Sequence, residues 1–131
     1  NRFMERKDRV YHELMHPYLP DRLEPAVDEV IELGLPYIPK EFEGESVMTI
    51  GRALKFHQDG ADLVVNAAPF GCMHGHISGA LLDKYSRETG FPVVTNFYDG
   101  NPGNTNLKSF IMAAARRRGI GVGVEDLGGV G

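Results

Sequence analysis

The stretch Asp62-Leu-Val-Val-Asn-Ala-Ala-Pro-Phe-Gly-Cys-Met-His-Gly75 constrains this chain more than any other. Residues 63–68 form a short apolar run rich in β-branched side chains, the composition of a buried strand. Pro69 has no N–H to donate and is expected to end the ladder. Gly71 and Gly75 bracket Cys72, the single cysteine of the chain, and His74 and His76 follow at alternate positions. From His76 onward the period becomes helical, with Ile77, Ala80, Leu81 and Tyr85 on one face. A strand that stops and restarts as a helix is half of an α/β crossover. Ligand sites in such folds lie in the loops at the carboxyl ends of the strands.

Three helices are expected ahead of that strand. Phe3, Val10 and Leu14, with Met4, Tyr11 and Met15 beside them, make an apolar stripe that ends before Pro17. The second helix buries Leu23, Val27, Val30 and Ile31 and stops at Gly34. Its start is either the capping pattern Asp21-Arg-Leu-Glu24 or a Glu24 cap with Pro25 at the first helical position. Residues 35–43, with two prolines, read as an extended linker with room for a short edge strand. The third helix covers residues 45–58 with Val47, Ile50, Leu54 and His57 inward. Gly51 inside it costs about 1 kcal/mol relative to alanine, and such a glycine often admits a second backbone.

Beyond the Cys72 loop the fourth helix ends at Gly90. Residues 91–97 read as a second strand with Pro92 confined to its first position, and residues 98–104 as a loop dense in turn formers. A fifth helix, capped by Asn104 or Thr105, turns Leu107, Phe110, Ile111 and Ala114 inward. Arg116, Arg117 and Arg118 sit in its last turn, where positive charge suits the helix dipole; they read as a solvated end rather than a phosphate site.

Two strands joined by one helix should lie parallel with a right-handed crossover. Loops 69–75 and 98–104 then emerge side by side and enclose a polar cleft. In it Asp99 either faces Cys72, or holds its loop by backbone hydrogen bonds, or is plain turn chemistry with Gly100. The fold class is α/β: a Rossmann-like parallel sheet flanked by helices in a single small domain. Its parts are an N-terminal helical segment over 1–39, the α/β domain over 40–118, and a Gly-rich tail over 119–131 that reads as flexible or as a strand lacking a neighbour. Two parallel strands rarely stand alone, and the chain opens at Asn1 inside a helical pattern. It therefore reads as a fragment of a larger protein, with further strands supplied from elsewhere.

A net charge of −4 argues against nucleic acid or an anionic membrane as the main partner. No apolar run approaches the roughly 20 residues that span a bilayer, and the charged start lacks the apolar core of a signal peptide. One cysteine makes no internal disulfide, so a reducing cytoplasm is the expected compartment.

Three chemistries fit the loops. Cys72, His74 and His76 read C-x-H-x-H; if the loop curls, all three face one metal, and thiolate plus imidazole suits zinc or iron. His12 and His16, one turn apart, lack a third ligand and read as solvated or packed. Alternatively Cys72 is a nucleophile beside a helix N-terminus, although nothing orients a base. Third, Gly100 and Gly103 open a helix whose free N–H groups suit an anion. Neither loop 98–104 nor Gly119-x-Gly121-x-Gly123 matches a nucleotide-binding motif. Against all three stands a packed thiol with two polar loop histidines.

The runs Gly44-Glu-Ser-Val-Met-Thr-Ile-Gly-Arg-Ala, Gly60-Ala-Asp-Leu-Val-Val-Asn-Ala-Ala-Pro-Phe-Gly-Cys-Met-His-Gly75 and Pro92-Val-Val-Thr-Asn-Phe-Tyr-Asp-Gly100 together resemble a known pattern. It is that of the C-terminal domain of the 2-hydroxyglutaryl-CoA dehydratase D-component and the related CoA-substrate-specific enzyme activases, with their benzoyl-CoA-reductase-like and double-cubane-cluster relatives. The resemblance covers residues 40–115. It implies a Rossmann-like iron–sulfur protein of anaerobic metabolism in which Cys72 ligates a [4Fe–4S] or related cluster. Gly71, Gly75, Asp99 and Gly100 would border that site, and the cluster would pass one electron to a CoA thioester. It further implies an upstream domain or another subunit, a second copy included, supplying the remaining ligands, and an ATP-dependent activator. The chain departs from the pattern at His74, where proline is usual, and in having no other cysteine. A cubane normally takes four ligands, so this chain alone is expected to hold none.

Overall fold

Val64 pairs with Val93, and the register runs unbroken to Pro69 opposite Tyr98, so β1 (Val64–Pro69) and β2 (Val93–Tyr98) lie parallel. The computed structural model describes residues 2–18, 25–42, 44–100 and 105–120. Around the strands lie α1 (Arg2–Met15), α2 (Val27–Gly34), a 3-10 turn (Lys40–Phe42), α3 (Ser46–Gln58), α4 (Met73–Thr89) and α5 (Thr105–Arg117). The expected α/β order is thus found, with five helices and a two-stranded sheet among the described residues. Residues 35–42 form turns and no strand.

Pro69 does not end the ladder. Val64 N–H donates to Pro92 O at 3.1 Å and Phe70 N–H to Tyr98 O at 2.9 Å. The even-numbered residues of β1 therefore point their N–H groups at β2. Pro69 is odd, and its missing N–H falls on the outer edge, where proline costs no ladder bond.

The register places Val64, Asn66 and Ala68 with Val93, Thr95 and Phe97 on one sheet face, which α4 covers. Gly75 and Gly79 let that helix lie close: a Cβ on Gly75 would sit 2.4 Å from Ala68 Cβ, and one on Gly79 3.0 Å from Thr95 Oγ1. The buried stripe of α4 is accordingly Gly75, Ser78, Gly79 and Leu82. Ile77, Leu81 and Tyr85 pack sideways into the core around Ile38, Ile50, Leu54 and Phe91, while Ala80 is exposed, contrary to the periodicity. On the opposite face Val94 and Asn96 are buried on the side where α5 packs on β2, and Val65 of β1 is 39% exposed.

α2 and α3 pack closer than side chains would permit. A Cβ on Gly51 would lie 1.7 Å from Val30 O, and one on Gly34 2.2 Å from Val47 O. Each glycine thus takes the other helix's backbone, the approach that Gly51 was expected to allow. This contact joins residues on either side of position 39, and Ile38 itself is core. α2 begins at Val27 with Ala26 as a cap lacking a side-chain bond, later than the capping pattern implied; Asp21 and Glu24 lie outside the described residues. At α5, Leu107 and Ile111 are half-buried and Ala114 buried, but Phe110 is 44% exposed. Arg118 is no idle helix end: it pairs with Asp62 and donates to Gly60 O, tying the end of α5 to the entrance of β1. On α1 the expected apolar stripe is exposed at Val10, Tyr11, Leu14 and Met15.

His57 turns inward as expected, stacked on Phe91 with ring centroids 3.9 Å apart and with Nδ1 2.6 Å from Tyr85 Oη. Burial, then the neighbouring Tyr37, holds the Tyr85 phenol above its ordinary value of 10.0. The stability attached to this phenol is fully present below that unfolded value and is lost as pH rises towards the raised folded one. Urea midpoints are therefore expected to fall above about pH 10, with a smaller fall in Tyr85→Phe; equal pH curves for the two proteins would contradict this.

Candidate functional site

The chain leaves β1 through a four-residue turn. Cys72 N–H donates to Pro69 O at 3.1 Å, and Gly71, third in the turn, has φ +79°. A positive φ there is the type II pattern, which glycine satisfies without strain. Gly71→Ala is expected to cost about 1 kcal/mol and Gly71→Asn less, read as urea midpoints; equal costs would contradict the turn assignment.

Cys72 is half-buried at the carboxyl end of β1 and caps α4, its Sγ accepting the Gly75 N–H at 3.4 Å. α4 therefore starts at Met73, not at His76, and the loop shortens to residues 70–72. This change decides where the histidines go. At 3.6 residues per turn, positions 74 and 76 point about 200° apart. His74 turns towards the start of α3, with Nδ1 3.0 Å from Ser46 Oγ and Phe42 edge-on to the ring at 6.1 Å. His76 is exposed and stacks on Phe97 at 4.2 Å.

Cys72, His74 and His76 are thus not brought together. Among the described residues no three His, Cys, Asp or Glu side chains form a group able to hold a metal. His12 and His16, 5.8 Å apart on α1, belong to no such group.

Asp99 and Gly100, both exposed, follow β2 at the edge from which Cys72 emerges, because Pro69 and Tyr98 are partners. Residues 101–104, the rest of that loop, lie outside the described residues, as does the tail beyond residue 120. The expected cleft between the two loops involves residues 101–104 and so falls outside the described residues. Among the described residues an open groove of about 390 Å³ runs along α4 and β2, lined by His76, Gly79, Asp83, Thr95 and Phe97 among others.

Sequence reasoning missed a buried polar chain beneath Cys72. Ser46, Asn66 and Ser78 are 0%, 7% and 1% exposed. Ser78 Oγ donates to His74 O at 2.7 Å, and Asn66 Nδ2 reaches Ser78 Oγ at 3.4 Å and Thr95 Oγ1 at 3.3 Å. The available signal was Asn66 itself, a polar residue inside an apolar strand, which needs buried partners.

No family model matches the chain, and no curated protein or solved structure matches it.

The geometry alone defines the chemistry on offer. Cys72 presents one soft donor at the N-terminus of α4, its sulfur accepting the Gly75 N–H. His74, its nearest histidine in sequence, is engaged by Ser46 through Nδ1. Phe70 and Met73, flanking the thiol, are 74% and 62% exposed.

Proposed function

We propose that this chain is a Rossmann-like domain of a cytoplasmic iron–sulfur protein related to the 2-hydroxyacyl-CoA dehydratases and their ATP-dependent activators. In this reading Cys72 supplies one ligand to a shared [4Fe–4S] or related cluster. The observation that carries it is the placement of Cys72: half-buried at the carboxyl end of a parallel strand, capping α4, with a backbone N–H on its sulfur. Hydrogen bonds to cluster sulfurs are one of the means by which proteins tune such centres. The donor set fits one corner of a cubane, which takes about four thiolates, and the other ligands come from an upstream domain or another subunit. When bound, the cluster supplies one electron at a time to a CoA thioester.

The chain's own residues prepare that corner. Gly71 gives the turn that lifts Cys72 off β1, and Gly75 lends its N–H to the sulfur while fitting against Ala68. Phe70 and Met73 offer an apolar rim that a ligand-supplying partner would cover, excluding water from the thiol. Asp99 and Gly100 border the same edge from β2. A small zinc module built on Cys72, His74 and His76 is disfavoured by the helical start of α4, which turns the two histidines apart.

Metal analysis of the protein isolated anaerobically from its own cells tests the reading. Iron with acid-labile sulfide is expected. Zinc without sulfide would replace this reading by a zinc module, and neither metal by a structural module with a packed thiol. The chain alone, treated anaerobically with iron and sulfide, is expected to stay colourless. A brown product lost in Cys72→Ser would mean that copies of the chain complete the site.

A further inference from the structure

We propose that His74 is a positioning residue: gripped through Nδ1 by Ser46, it fixes the turn of α4 that presents Cys72, and it is not itself a ligand. The inference rests on the reading of Cys72 as the group that faces the metal. His74 stands two residues after Cys72, and its side chain and carbonyl are both held. Ser46 Oγ lies 3.0 Å from His74 Nδ1 and 3.4 Å from His74 O. With the proton on Nδ1 both bonds form, the ring donating to the serine oxygen and the serine hydroxyl donating to the carbonyl. Ser78 Oγ donates to the same carbonyl at 2.7 Å and is itself reached by Asn66 Nδ2 from β1.

The other side of the ring is closed as well. A Cβ on Gly44 would stand 2.3 Å from His74 Cε1 and 2.8 Å from Nε2, so only glycine fits against that edge. α3, the segment before it and β1 therefore all bear on one residue of the first turn. A rotation of that turn large enough to swing Cys72 Sγ off the Gly75 N–H would break the Ser46 and Ser78 bonds together. A metal-bound imidazole needs a ring nitrogen free to face the ion; here Nδ1 is taken and Nε2 lies against the backbone at Gly44.

Amide hydrogen exchange in the full chain, measured by NMR without added metal, tests this. The reporters are the Gly75 N–H, which bonds Cys72 Sγ, and the His76 N–H, which bonds Cys72 O at 3.0 Å. Asparagine at 74 keeps a donor near the Nδ1 position, whereas glutamine places one nearer Nε2. Ser46→Ala, His74→Ala and His74→Gln are expected to speed exchange at both reporters on the order of tenfold, the loss of about one hydrogen bond. His74→Asn should stay within about twofold of the parent, and the Leu82 amide farther along α4 should not change in any variant. Glutamine rescuing where asparagine does not, Ser46→Ala leaving the reporters unchanged, or acceleration extending to Leu82 would each overturn the proposal. A protein found to lack iron would end the cluster reading and leave this exchange result standing.

Discussion

Gly51→Ala is expected to destabilise the chain by about 2–3 kcal/mol, although alanine is the better helix former. At an exposed helical site the substitution would gain about 1 kcal/mol. Here the added methyl would stand 1.7 Å from Val30 O, a backbone atom that cannot rotate away. α2 and α3 must separate, and the core residues between them, Val30, Ile50 and Ile38, lose contacts along with them. Overpacking of this kind costs typically 1–3 kcal/mol and sometimes more, a large share of the roughly 5–15 kcal/mol that holds a domain together. Gly34→Ala should act in the same direction through Val47 O. The two costs should add to less than their sum, because one displacement of the helices relieves both clashes. Gly60→Ala is the control: φ is +83° but no atom lies within 4 Å of its Cβ position, so backbone strain alone acts there. Equilibrium urea unfolding decides the matter. A Gly51→Ala midpoint at or above that of the parent would mean that the helices are not packed backbone to backbone.

What could be read from the sequence follows from how local each signal is. The apolar run at 63–68 and the stop at Gly90 are signals of a few residues: the strand is found one residue later, at Val64–Pro69, and Gly90 is a left-handed cap with φ +74°, while the parallel pairing follows from the single helix that joins the strands. Gly51 was legible as an anomaly, a glycine inside an otherwise good helix, but its partner Gly34 read only as a stop signal. The start of α4 was not legible because cysteine is not among the usual capping residues; its sulfur takes the role that a serine or aspartate oxygen would announce. That shift of three residues separated His74 from His76. The buried stripe of α4 was hidden because glycine and serine carry no hydrophobic signal, yet they are what a helix needs to lie close on a sheet. Ser46 escaped notice for a related reason. Its task is set by a residue 28 positions away, and no local period records such a contact.

With Cys72 as the proposed cluster ligand, removing its sulfur is expected to have an effect close to all or none. Serine is close in size and puts a capping oxygen where the sulfur now accepts the Gly75 N–H, so Cys72→Ser leaves the start of α4 intact while withdrawing the soft donor of an iron–sulfur centre. His76→Ala is the companion variant, since that ring only stacks on Phe97 at the surface. The deciding measurement is iron and acid-labile sulfide per chain, together with the electron paramagnetic resonance spectrum after reduction, in the anaerobically isolated protein and in both variants. The parent and His76→Ala are expected to hold equal iron and sulfide and to give the same spectrum, while Cys72→Ser loses most of both and the signal with them. Unchanged iron, sulfide and spectrum in Cys72→Ser would contradict the account.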